Sequence, residues 1–377
     1  MVLEYMLENN EFIFPNFNKS ILNISSTLAT YLGCKNDKPI LNELMLELKK
    51  NYKNIVFMCI DGLGINPINI NLDDNSILKK NIKMILTSTF PSTTTNATNS
   101  LMCNMYPLEH GWFGWSLYYK SINKNVNIFL DKESLNNEKL IIKDKPIKKE
   151  EYYFDNTNTD YNINTVFPKY VEVKIERNNH KYDTIEGFFN NINTVINKPD
   201  KQFVYSYLYE PDTTMHEYGV SSIETKRLIY RINDEFEILY KNTKDTLFII
   251  TADHGQIDVE GYIDLYHDDR LMDMLKIYPY LDARAVSFLV KEECKKDFEE
   301  YFNNKYKEDF ILYKTKDLID NGVFGPYGDK EELLGDYIAI GTYTNKIALL
   351  TPISKRHKGH HTSLTDEMLV PLIIVNN

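Results

Sequence analysis

Five short apolar runs, Ile55–Ile60, Phe203–Leu208, Leu247–Thr251, Tyr337–Ile340 and Leu372–Val375, restrict the fold of this chain more than any other feature. They lack the polar alternation of a half-solvated sheet, so they read as strands buried on both faces of a mainly parallel sheet. Helical stretches such as Ser222–Tyr240 and Glu292–Phe302 fall between them. The alternation predicts an α/β fold, with a mainly parallel central sheet and helices on both faces.

A chain of 377 residues has enough core for one such domain, and we read residues 1–377 as a single unit. From about Lys120 to Pro199 it is rich in Asn, Lys and Asp, with clusters such as NNEK and DNTNTDYNIN. This region reads as an irregular insertion or small cap. Residues 282–335 form a second candidate insertion whose own elements could make a lid.

Three of the apolar runs stop at residues that bind metals. Ile55–Ile60 ends at Asp61-Gly62, Phe203–Leu208 leads into Glu210-Pro211-Asp212 and His216, and Leu247–Thr251 ends at Asp253-His254-Gly255. A fourth element, Gly359-His360-His361, follows a basic loop and precedes the last run. Singly, each has an ordinary explanation as a turn, a helix cap or exposed surface. Ligands in open α/β sheets, however, bind beyond the carboxyl ends of strands. Asp and His residues gathered there make two sets of oxygen and nitrogen donors, which suits two zinc ions.

Between the first two elements lies the run Thr87-Ser-Thr-Phe-Pro-Ser-Thr-Thr-Thr-Asn-Ala-Thr98. Pro91 ends an extended segment, and Ser92, Thr93 or Thr94 can cap the helix that follows. A hydroxyl there shares the positive helix end with any bound phosphate.

The order Cys-Ile-Asp61-Gly, Thr-Phe-Pro-Ser-Thr-Thr, Tyr106-Pro107-Leu-Glu-His110-Gly111, Glu-Pro-Asp212-xxx-His216, Asp253-His254-Gly and a late His361 resembles the alkaline phosphatase superfamily. Within it, the chain looks most like the nucleotide pyrophosphatase/phosphodiesterase branch and its bacterial relatives. The ending His361-Thr-Ser-Leu-Thr-Asp-Glu-Met-Leu-Val-Pro-Leu resembles their HGGLTPEEMLVPL. The resemblance implies one metal on Asp212, His216 and His361, and another on Asp61, Asp253 and His254. Zinc is the family's usual metal, with manganese the alternative. For the nucleophile, relatives carrying Thr-Phe-Pro-Asn point to Thr89. Their interval from nucleophile to a Thr-Gly pair, here Cys103-Asn104, points instead to Thr94. We read Thr94 as the nucleophile, with Thr89 the alternative and Thr93 a minor third.

Two positions depart from the family pattern. Trp115 stands where an Asn often holds a phosphoryl oxygen, and Thr95 where an aromatic often stacks on a nucleobase. Tyr207 matches the tyrosine that can form the other side of that stack, so Tyr207 and Trp115 are the candidate substrate contacts.

The implied activity is hydrolysis of phosphodiester or pyrophosphate bonds, nucleotide-type substrates favoured, through a phosphothreonine. A phosphomonoesterase or phosphonate hydrolase on the same scaffold is the alternative, and a non-catalytic nucleotide or phosphate sensor a remote one. The net charge of -11 disfavours binding to nucleic acid or anionic membranes. An anionic substrate therefore needs local positive charge, which metals can supply. The acidic N-terminus has no apolar leader run, no segment is long enough to span a membrane, and four scattered cysteines form no CxxC pair. These features together predict a cytoplasmic protein acting on a small phosphate ester.

Overall fold

The computed structural model describes residues 12–143, 145, 152–171 and 178–377. Most of the N-terminal stretch read for a leader, residues 1–11, lies outside them. Among the described residues no helix is long and apolar enough to cross a membrane.

Seven strands form the central sheet. Their order is β2 (Ile82–Thr87), β18 (Leu369–Asn376), β9 (Thr246–Thr251), β1 (Asn54–Ile60), β8 (Gln202–Leu208), β6 (Asn162–Pro168) and β7 (Asn179–Tyr182). From β9 to β7 all neighbours are parallel. The β18 strand runs against both β9 and β2, so the sheet is mixed, which corrects the expectation at this strand. The reason lies in the chain path. Strands β1, β8 and β9 end at the side where His361 sits, and β18 begins there and can only run away from it.

All seven residues of β1 and all six of β9 are buried, so both sheet faces are covered, as continuous apolar runs require. Helix α1 (Ile21–Tyr31) packs on α2 (Thr94–Cys103), and α3 (Ile185–Ile196) on α5 (Ile223–Lys241). The α5 helix shows why these segments are helical. Ser222 caps it by accepting from the Thr225 amide, and Ile229, Ile232, Phe236 and Leu239 recur on its buried face. Each such side chain contributes about 1.5–3 kcal/mol by leaving water.

A second sheet is antiparallel throughout, in the order β14 (Phe310–Lys314), β15 (Tyr337–Gly341), β13 (Ala285–Phe288), β12 (Tyr280–Leu281), β3 (Ser116–Tyr119), β4 (Lys124–Asn127) and β5 (Lys132–Glu133). The Tyr337–Ile340 run, read as a strand of the parallel sheet, therefore belongs here. Its apolar continuity reflects burial between β13 and β14, and burial alone does not say which sheet a strand joins. Residues 282–335 contribute β13, β14 and helix α6 (Lys295–Tyr306) to this half. Part of the region read as an irregular insertion, β6, β7 and α3, instead extends and covers the central sheet.

Candidate active site

Each strand end delivers its acidic residue by a distinct local device. After β1, Gly62 takes a φ of +72° and lies against Asp212, where a Cβ would come within 3.2 Å of Asp212 Cα. The sharp turn thus needs glycine. Its amide donates to Asp253 Oδ1 at 3.1 Å, tying the first strand end to the third. Asp212 opens helix α4 (Asp212–Tyr218), and His216 lies one turn on and on the same face. Beyond β9, β10 (Ile257–Asp258) pairs with β17 (Gly359–His360). That pairing returns the late histidines to the site, where His361 stacks on His254 with ring centroids 3.9 Å apart.

The three candidate histidine ligands share one tautomer. Nδ1 of His216 faces Gly359 O at 2.8 Å, Nδ1 of His254 faces Gly255 O at 2.9 Å, and Nδ1 of His361 faces Ser92 O at 3.0 Å. A carbonyl only accepts, so each Nδ1 carries the hydrogen and each Nε2 presents a lone pair. Burial first, then the neighbouring imidazoles of His254 and His216, hold the His361 imidazole well below its ordinary protonation range.

Two groups of donor atoms result, Asp212, His216 and His361 in one and Asp61, Asp212 and His254 in the other. Asp212 borders both. Asp253 stands beside the second group, with Oδ2 3.5 Å from His254 Nε2, and that buried oxygen has no hydrogen-bond partner among the described residues. Burial, then repulsion from Asp253 and Asp212, raises Asp61 well above the usual carboxylate range, and burial raises Asp253 as well. Crowded buried carboxylates, an orphan oxygen and converging Nε2 lone pairs are what divalent cations would relieve, so the residues fit a metal centre.

Thr94 is the first residue of α2, after Thr93 in extended conformation. Its Oγ1 lies 3.2 Å from His254 Nε2 and 3.4 Å from each Asp61 carboxylate oxygen. Thr93 turns the other way, toward Asp282 Oδ2 at 3.4 Å. Thr89 is fully buried and its hydroxyl has no partner among the described residues. The geometry thus brings Thr94, and neither alternative, against the acid and histidine groups.

A cavity of about 920 Å³ opens from this cluster, with Thr94, Asp212, His216, His361 and Trp115 on its wall. Tyr207 is not on that wall. Its hydroxyl instead donates to Asp61 Oδ2, while its ring lies 6.2 Å from Phe167. A half-buried phenol still needs an acceptor, and it finds one in the carboxylate at the end of the neighbouring strand.

Three contacts escaped the sequence reading. Gln256 donates its side-chain amide to Asp212 Oδ1, and its place just after Asp253-His254-Gly255 was the available signal. Asp282 packs against Thr93 and, at 3.9 Å, His360. The fully buried Arg284 pairs with Glu367 behind the loop that carries His361. Nothing local marks the last two, because their partners are far away in the chain.

Murine ectonucleotide pyrophosphatase/phosphodiesterase 5 has a similar fold, with a TM-score of 0.66 at 15% identity over 86% of this chain and 88% of that one. An inactive form of the murine protein in complex with AMP gives 0.64 at 16% identity, covering 85% and 87%. Phosphonoacetate hydrolase from Sinorhizobium meliloti 1021, in complex with phosphonoformate, gives 0.59 at 14% identity, covering 85% and 89%. No curated protein matches by sequence. The family model for type I phosphodiesterase / nucleotide pyrophosphatase matches residues 56–329, and the chain belongs to that family of phosphoester hydrolases within the alkaline phosphatase superfamily.

Proposed function

We propose that the protein hydrolyses phosphodiester or pyrophosphate bonds, nucleotide-type substrates favoured, through a phosphothreonine formed on Thr94. The observation that carries this reading is the position of Thr94 Oγ1 against Asp61 and His254, at the start of a helix. The leading amides of that helix lack intrahelical acceptors and can hold phosphoryl oxygens.

Two divalent cations, zinc or else manganese, one held by Asp212, His216 and His361 and the other by Asp61, Asp253 and His254, would supply the positive charge that acidifies the threonine hydroxyl and screens the phosphoryl group. Once deprotonated, Thr94 Oγ1 attacks phosphorus while the leaving oxygen departs in line on the opposite side. Water then enters from that side and breaks the phosphothreonine ester, and two inversions retain configuration. Cavity volume beyond Asp212 and His216 gives room for a second ester group, which favours diesters over monoesters.

Thr94→Ala should abolish turnover of bis-p-nitrophenyl phosphate while bound metal stays near the wild-type level. Full activity in that variant would remove Thr94 from the mechanism. Faster turnover of p-nitrophenyl phosphate than of the diester by the wild type would favour the monoesterase alternative.

A further inference from the structure

Gln256 follows Asp253-His254-Gly255 directly, yet the proposed mechanism gives it no part. Its side chain is fully buried at the junction of the segments that carry Asp212, His216 and His361. The amide Nε2 donates to Asp212 Oδ1 and, at 3.3 Å, to the Asp212 carbonyl at the start of α4. Oε1 lies against Gly359 of β17, where a Cβ would come within 2.7 Å of it. Gly359 O in turn faces His216 Nδ1, and His361 follows two positions on. Asn66 holds the Gln256 backbone by donating to its carbonyl at 2.8 Å.

Asp212 Oδ1 is the oxygen that faces the histidines, 3.4 Å from His216 Nε2 and 3.7 Å from His361 Nε2. Both nitrogens present lone pairs, so neither ring donates to it. Among the described residues, the Gln256 amide is the one side-chain group that donates to Asp212 Oδ1. A donor on an ionised carboxylate makes the stronger, charge-assisted kind of hydrogen bond, and it fixes the direction of the acceptor. Each carboxylate oxygen has about two lone-pair sites, so one on Oδ1 remains for a cation.

The other end of the amide is unfavourable where it lies. Oε1 is buried with no hydrogen-bond partner among the described residues. An unmet buried acceptor destabilises a fold, and an apolar side chain of similar length would avoid it. What the amide adds is the donor to Asp212. We propose, resting on the metal-dependent reading of this site, that Gln256 is a positioning residue. By holding Asp212 with Oδ1 toward His216 and His361, it sets how tightly that half of the centre takes a divalent cation.

Gln256→Met keeps the length and the burial and removes the donor. Zinc titrations of the full chain against a chromophoric chelator should resolve two ions on the wild type. In Gln256→Met one ion should bind about tenfold or more weakly, as loss of such a hydrogen-bond partner does elsewhere, while the other stays near its wild-type affinity. Gln256→Asn keeps the amide but falls one methylene short, and should weaken the same ion. The zinc concentration for half-maximal turnover of bis-p-nitrophenyl phosphate should rise about tenfold in step, with kcat at saturating zinc near the wild-type value. A packing defect alone would not be repaired by added zinc. Two ions held by both variants as tightly as by the wild type, or both ions weakened alike, would overturn the role. A wild type that binds no zinc would remove the metal centre and this assignment with it. A wild type that holds two zinc ions and hydrolyses no phosphodiester would sink only the proposed activity, and the zinc titrations would still decide on Gln256.

Discussion

His216 Nε2 and His361 Nε2 face each other at 3.2 Å, each with its Nδ1 already committed to a backbone carbonyl. Two lone pairs pointed at one another are unfavourable, and a cation between them converts repulsion into ligation. Metal should therefore stabilise the fold as well as serve the chemistry. At free zinc a hundredfold above Kd, one site adds about 2.7 kcal/mol. Chelation should lower the thermal midpoint, zinc should restore it, and His361→Ala should blunt the response. A midpoint indifferent to chelator would rule out the centre.

The contact between Tyr207 and Asp61 separates two roles for this tyrosine. A stacking partner for a nucleobase would raise the nucleotide KM when removed. A hydroxyl that orients a ligand-bearing carboxylate would act on kcat instead. Tyr207→Phe keeps the ring and loses the bond, and hydrogen bonds to charged groups contribute about 1.5–3 kcal/mol. We expect kcat to fall about tenfold with little change in KM. Steady-state kinetics on a nucleotide diester decides between them.

The same contact shows what the sequence could and could not convey. Asp61, Asp212, His216, Asp253, His254 and His361 were legible because each sits at the end of an apolar run or in a short motif. Strand β6 was not, because its Asn162, Asn164 and Thr165 read as loop. In the fold, Asn164 Nδ2 donates to Gln202 Oε1 on the adjacent strand at 3.0 Å and Thr165 Oγ1 donates to Asn179 Oδ1 at 3.2 Å, which pairs much of this polar strand and lets it be buried beyond Asn162. The second sheet was mostly hidden for a related reason, since β12 and β5 span two residues each and carry no periodicity. Distant pairings such as Tyr207 with Asp61 require strand order and register, which no single segment encodes.

Arg284 and Glu367 form an ion pair at 2.6 Å with both side chains fully buried. The guanidinium also donates to the carbonyls of Lys346 and Thr342 at 3.0 Å each, while the Arg284 amide donates to Thr362 Oγ1 at 3.1 Å, next to His361. Glu367→Gln leaves the arginine charge buried and uncompensated, which costs about 3–5 kcal/mol. Replacing both, as Arg284→Met with Glu367→Leu, should cost less than the single change. Urea unfolding of both variants checks the order, and a single variant as stable as wild type would show that the pair contributes little.

His110 gives the fold an acid-sensitive point away from the metal cluster. The Trp112 amide donates to its Nδ1 at 3.0 Å, so its Nε2 carries the hydrogen and donates to Ser100 Oγ at 3.0 Å on helix α2. Burial lowers its pKa from 6.5 to about 3, and a proton at Nδ1 would face the Trp112 N–H. The folded value lies below the unfolded one, so the unfolded chain binds the proton first as pH drops. The associated stability is fully present above pH 6.5 and drains away between 6.5 and about 3. From pH 7 to pH 5 the loss from this one group is about 2 kcal/mol. His110→Asn removes the titration, so its unfolding free energy should change about 2 kcal/mol less than the wild type's across that interval. Equal changes in the two proteins would show that His110 takes up its proton in the folded state.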